Sequence, residues 1–143
     1  MGVCGAPERD ITDDVTTPTG TDELTDFFDR YGAALTMGDV AGIAGCYTLP
    51  GMVVSGSYSF TFTSPAAVAL SFLGAAPSYR EQRIVAAHAQ ISDVQQLGSA
   101  LAMVAVTWEY LDATGCAVPG DSYRYLVRLE PAGWRICTVI ATH

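Results

Sequence analysis

The 143-residue sequence contains no lysine. Seven arginines face fifteen acidic residues and leave a net charge of −8. That balance repels a phosphate backbone, so nucleic acid is not an expected partner, and anionic membrane surfaces are disfavoured for the same reason. No run of about 18 apolar residues occurs, which excludes an apolar helix spanning a bilayer. The first twenty residues lack the basic-then-apolar layout of a secretion signal. A cytoplasmic protein is therefore the expectation.

Histidine is scarce too. His88 and His143 are the only two, so imidazole chemistry has two places to come from. The four cysteines, Cys4, Cys46, Cys116 and Cys137, lie far apart and form no CxxC pair. This spacing does not fit a zinc site, and neither a metal nor a cofactor is expected. Free, buried thiols suit a reducing cytosol. Arg135 stands two residues from Cys137, the kind of basic neighbour a reactive thiol needs, but nothing else supports a thiolate nucleophile.

Half of the residues are hydrophobic, enough for one domain of ordinary size with a real core. The acidic stretch 1–20, rich in Thr and Pro, reads as a flexible tail; the folded domain is expected over 21–143. Thr21 is placed to cap a helix with Asp22 and Glu23 in its first turn. Leu24, Phe27, Phe28, Tyr31 and Leu35 then recur at helical spacing. Gly38 ends this helix, and Asp39 caps a second that runs to about Tyr47, with Pro50-Gly51 as the closing turn.

Met52–Ser55 reads as a short strand and Gly56-Ser57 as a turn. Tyr58–Thr63 alternates aromatic and small polar residues, the pattern of a half-buried strand. Ser64-Pro65 starts a third helix, which fades by Pro77. The remainder reads as sheet. Residues 83–94 carry Val85, Ala87, Ala89 and Ile91 on one face and His88, Gln90 and Ser92 on the other. Residues 100–111 form a long strand, Asp112–Gly115 a turn, Tyr123–Leu129 a strand, Pro131–Gly133 a hairpin and Trp134–Thr142 the last strand. Helices first and long antiparallel strands after is the α+β order.

Three places carry a family resemblance: Arg30-Tyr31-Gly32-Ala33-Ala34-Leu35 followed by Gly38-Asp39; Val106-Thr107-Trp108-Glu109-Tyr110; and Gly133-Trp134-Arg135-Ile136. With this order of elements, residues 22–143 resemble the nuclear-transport-factor-2-like superfamily, in the branch of ketosteroid isomerase and the SnoaL-like polyketide cyclases. The resemblance implies three helices on a strongly curved, mainly antiparallel sheet, a cone-shaped cavity, and a homodimer formed through the outer sheet face.

By the same resemblance, Tyr31 stands where the isomerase has its hydrogen-bonding tyrosine. The isomerase's base falls at Ser55 and its protonated acid at Tyr125, and neither is a carboxylate. A serine hydroxyl without a partner base does not abstract a carbon-bound proton near neutral pH, so steroid isomerase chemistry is not expected. His88 reads as a surface residue. His143, at the end of the strand that lines the cavity in this fold, is the remaining candidate base, with Tyr31 as the catalytic donor. Glu109 and Asp112 fall away from the cavity, Asp39 is a cap, and no carboxylate pair is evident. The expected ligand-binding wall is Tyr31, Tyr47, Ser55, Trp108, Tyr110, Tyr125, Thr138 and Thr142. It suits a small, mostly apolar or aromatic molecule. A cyclase, isomerase or dehydratase acting on a polyketide-like carbonyl compound is the alternative, and a dimerisation module without a ligand is the third reading.

Overall fold

A computed structural model describes residues 19–71 and 83–142. Helix α1 spans Thr19–Met37, α2 Val40–Gly45 and α3 Pro65–Ser71. The strands are β1 Tyr47–Val54, β2 Ser59–Phe62, β3 Ile84–Gln96, β4 Leu101–Asp112, β5 Ala117–Glu130 and β6 Gly133–Ala141. They form one six-stranded sheet in the order β2-β1-β6-β5-β4-β3. Only the β1–β6 pairing is parallel; the others are antiparallel. This is the expected α+β architecture, three helices on a mainly antiparallel sheet.

The stripe on α1 explains its place. Leu24, Phe27, Phe28, Tyr31 and Leu35 are all buried, against the inner face of the sheet. Gly38, at φ 72°, takes the left-handed backbone that stops the helix. Asp39 Oδ1 then accepts from the Gly42 amide at 3.1 Å and caps α2. The Ser64 hydroxyl accepts from the Ala67 amide at 3.1 Å at the start of α3. Gly32 is demanded by packing: a Cβ there would stand 2.8 Å from Trp108 Cζ3 and 3.2 Å from the Ala87 carbonyl oxygen. α1 thus lies directly against β3 and β4.

Several boundaries differ from expectation. α1 begins at Thr19, so Thr21 lies inside the helix rather than capping it. The expected tail, 1–20, falls outside the described residues except for Thr19 and Gly20, which open α1. Tyr47 is the first residue of β1, not the end of α2. Pro50-Gly51 lies within β1, where the pairing with β6 slips: Tyr47 is opposite Ile136, yet Met52 is opposite Thr138. The proline, having no N–H to donate to a ladder, sits where the ladder is broken. Val85 is 60% exposed, because the pairing of β3 with β4 shifts between Ile84 and Ala86 and turns it outward. β2 is an edge strand on which only Phe62 is buried, so the strand is less covered than its alternation suggests. Among the described cysteines, Cys46 and Cys137 are free as expected, whereas Cys116 is disulfide-bonded. No described helix is long and apolar enough to cross a membrane.

The register builds the inner face row by row, since directly paired residues share a face. One row is Ala102–Val127–Ile136–Tyr47 and the next is Val104–Tyr125–Val139–Val53. The third is Val106–Tyr123–Ala141. Along β4 the inward residues grow from Ala102 to Trp108 and Tyr110, so one end of the sheet is filled while the other carries rings.

Candidate functional site

At the aromatic end α1 and the sheet leave a cavity of about 330 Å³. Tyr31 and Leu35 come to it from α1, Tyr47 and Val53 from β1, Trp108 and Tyr110 from β4, Tyr123 and Tyr125 from β5, and Val139 and Ala141 from β6. Tyr58, Phe60 and Ser71 complete the wall. Six of the seven tyrosines in the chain therefore meet in one place. Among the described lining residues there is no carboxylate, imidazole or guanidinium.

The hydroxyls are organised in pairs. Tyr31 and Tyr47 share a buried hydrogen bond of 2.5 Å. Trp108 Nε1 donates to the Tyr125 hydroxyl at 2.9 Å. Burial pushes the Tyr47 phenol well above its ordinary pKa, and neighbouring Tyr125 adds to this while the bond to Tyr31 opposes it. Burial likewise raises Tyr125, helped by Tyr31 and opposed by the Trp108 bond. These two wall hydroxyls stay protonated and neutral at physiological pH.

From Tyr58, just before β2, through Phe60 to Phe62 exposure falls from 56% and 40% to 1%. The Tyr58 and Phe60 rings stack at 5.9 Å and 11°, so their paired faces stand at the mouth. Gly120 lets the Tyr110 ring lie directly against β5. A Cβ there would come within 2.7 Å of the Tyr110 ring and 2.6 Å of the Trp108 carbonyl oxygen, where the β4–β5 register slips.

Of the residues expected at the site, Tyr31, Tyr47, Trp108, Tyr110 and Tyr125 line the cavity. Ser55, Thr138 and Thr142 do not. The Ser55 hydroxyl is engaged in the β1–β2 turn, accepting from the Ser57 and Tyr58 amides at 3.2 Å each. Thr142 Oγ1 donates to the Ser122 carbonyl at 2.9 Å. A strict alternation in β6 would put Thr138 on the inward face of Trp134 and Ile136, but the alternation inverts. Val127 pairs with Ile136 and Leu126 with Thr138, so Cys137 is an extra residue in β6. A bulge of this kind turns every later side chain over, and Val139 and Ala141 face inward instead. His143 lies outside the described residues.

Tyr58, Phe60 and Tyr123 were not expected. Tyr123 carried a usable signal, the same strand parity as Tyr125. Tyr58 and Phe60 needed the return of β2 beside β1 to bring them to the mouth. Other candidates stand elsewhere. His88 is exposed, with Nδ1 3.7 Å from Asp29 Oδ1. Glu109 Oε1 accepts from Gln90 Nε2 at 3.5 Å. Asp112 Oδ1 accepts from the Thr114 hydroxyl at 2.6 Å and from two turn amides, and those bonds hold its carboxyl below the usual range. Burial raises the Cys46 thiol despite Arg30 and Arg135 nearby, which argues against a thiolate there.

The sequence matches a family model described as NTF2-like protein (DUF6841) over residues 22–143. No curated protein matches it. Among solved structures, an NTF2-like protein of unknown function from Shewanella oneidensis superposes with a TM-score of 0.64 at 16% identity, covering 86% of this chain and 98% of that one. A ketosteroid isomerase-like protein from Erwinia carotovora gives 0.58 at 18%, covering 87% and 95%. A proposed dehydratase of the NTF2-like family from Streptomyces avermitilis gives 0.58 at 16%, covering 86% and 94%. At such identities the likeness is one of fold.

Proposed function

The chain belongs to the NTF2-like protein family DUF6841, and from that premise we propose that its aromatic cavity binds a small, mostly apolar or aromatic molecule. The observation carrying this reading is the convergence of six tyrosines and Trp108 on one cavity of about 330 Å³. That volume lies at the lower end of the range for small-molecule sites, roughly 300–1,000 Å³. Tyrosines combine apolar area with a few fixed hydroxyls, which suits a ligand held by shape and oriented by one or two hydrogen bonds. We take the protein to work as a homodimer through its outer sheet face, which light scattering would test; the disulfide at Cys116 removes the argument for a reducing cytosol.

Isothermal titration of the full chain with a panel of neutral aromatic and alicyclic fragments tests the reading. Saturable binding that is weakened by Tyr123→Ala supports it. A panel that gives no saturable heat and no shift of the melting temperature overturns it.

One observation favours a second reading, an enzyme of the cyclase, isomerase or dehydratase type acting on a carbonyl substrate. The short Tyr31–Tyr47 bond presents a polarised hydroxyl pair, the donor half of an oxyanion site. Proton transfer would then fall to His143 or a bound water. Turnover of a polyketide-like ketone that survives His143→Ala and Tyr31→Phe together would exclude these roles.

A further inference from the structure

We infer that Cys116 is joined to Cys4 by a disulfide that staples the amino-terminal stretch to the β4–β5 hairpin and makes the stability of the fold sensitive to reductant. Elimination carries the pairing. The chain has four cysteines. Cys46 and Cys137 are free, whereas Cys116 is disulfide-bonded. Its partner within the chain is therefore Cys4, which itself lies outside the described residues.

The described half of the bond sits in a well-tied turn. The Cys116 amide donates to Asp112 Oδ1 at 3.0 Å, and the Asp112 amide donates to the Cys116 carbonyl at 3.0 Å. The Thr114 hydroxyl lies 3.3 Å from the Cys116 sulfur. These contacts hold the sulfur at the tip of the β4–β5 hairpin. The strands of that hairpin bring Trp108, Tyr110, Tyr123 and Tyr125 to the cavity wall.

Chain length lets Cys4 reach that tip. α1 begins at Thr19, and Glu23 in its second turn shares a depression with Glu130 and Gly133. The helix therefore starts at the far end of β5, which begins at Ala117 and closes at Glu130. A strand of 14 residues is at most about 46 Å long. The roughly fifteen residue steps from Cys4 to Thr19 reach at most about 54 Å. The bond is within reach with little length to spare, and it links the filled end of the fold to the aromatic end.

A cross-link between these positions closes a loop of roughly 110 residues, and in the chain-entropy account long loops restrict the unfolded chain most. The bond forms when the two thiols pass two electrons and two protons to a small-molecule disulfide such as oxidised glutathione, which leaves as two thiols. It persists in an oxidising compartment and is lost to the thiol pool of a reducing one. Burial raises the Cys46 thiol, so little thiolate is present there to attack the bond and reshuffle it.

The test is peptide mapping of the full chain after exposure to oxidised glutathione and alkylation without reductant. With no lysine, trypsin cuts only after arginine, and Arg9, Arg30, Arg83, Arg124 and Arg135 place the four cysteines on four separate peptides. The peptides of Cys4 and Cys116 are expected as one cross-linked species, with Cys46 and Cys137 alkylated. Reductant should then lower the melting temperature by roughly 10 °C. Cys4→Ser should match that loss and abolish the response to reductant. Alkylated Cys4 together with alkylated Cys116 overturns the pairing, as does Cys116 linked to Cys46, to Cys137 or to a second copy of the chain. A Cys4–Cys116 bond whose reduction leaves the melting temperature unchanged overturns its role as a staple.

Discussion

The two ends of the inner sheet face share their strands and their helix but are filled in opposite ways. At one end Ala102, Val127 and Ile136 sit in register, fully buried beneath a core that includes Leu24 and Phe28. At the other, Val106, Tyr123 and Ala141 sit in register beside a cavity. The filled end is aliphatic and phenylalanine-rich. The open end is built of tyrosine, with Tyr31 bonded to Tyr47 and Tyr125 to the Trp108 indole. Close packing carries stability, whereas a wall of hydrogen-bonded rings can keep its shape around a gap.

The strongest test of this division is Phe28→Ala. Phe28 has no exposed surface and packs edge-on to Phe27 at 5.1 Å and tilted against Tyr125 at 4.9 Å. Its truncation is expected to cost about 3–5 kcal/mol in chemical denaturation. A loss under about 1 kcal/mol would mean that the filled end is not what holds the fold.

Alkaline titration probes the open end next. Tyr47 and Tyr125 hold their protons in the folded chain above the pH at which the unfolded chain releases them, near 10. Their contribution is therefore fully present below about pH 10 and is lost as pH rises through the folded values. The slope approaches about 1.4 kcal/mol per pH unit for each group. Tyr47→Phe should remove about half of it, measured as melting temperature between pH 9 and 11. An unchanged slope would show that Tyr47 ionises without opposing folding.

Gly32→Ala has a smaller effect, because two terms oppose. Alanine favours the helix by about 1 kcal/mol. Its Cβ, however, would stand 2.8 Å from a rigid indole edge and 3.2 Å from backbone. Crowding of this kind costs roughly 1–3 kcal/mol, so a net loss near 1 kcal/mol is expected, with a changed Trp108 fluorescence. A stabilised variant with the same emission would show that α1 can back away from β4.

The two ends also differ in how well the sequence announces them. The α1 stripe, Gly38, Asp39 and Ser64 are local devices, and their roles follow from spacing and side-chain chemistry alone. Trp108, Tyr110 and Tyr125 could be placed because their strands keep a period of two from the family motifs inward. The β6 wall could not, because the extra residue at Cys137 inverts parity after Ile136, and only the pairing with β5 reveals it. The contribution of Tyr58 and Phe60 depends on β2 folding back along β1. Local signals specify the packed end, while the open end is assembled by register and bulges, which belong to pairs of strands.

The smallest stability effect should come from Tyr58→Leu, and its smallness is the point. Tyr58 is 56% exposed just before the edge strand β2, and its ring stacks on Phe60, itself 40% exposed. Substitutions at such sites usually change stability by no more than about 0.5 kcal/mol. The ring nevertheless stands at the mouth, so ligand affinity should fall while the melting temperature holds. Phe28→Ala should do the reverse per unit of affinity lost, through global unfolding. If Tyr58→Leu destabilised the chain as much as Gly32→Ala, the mouth would belong to the core. The separation between an end that holds the fold and an end that holds a guest would then fail at its most exposed residue.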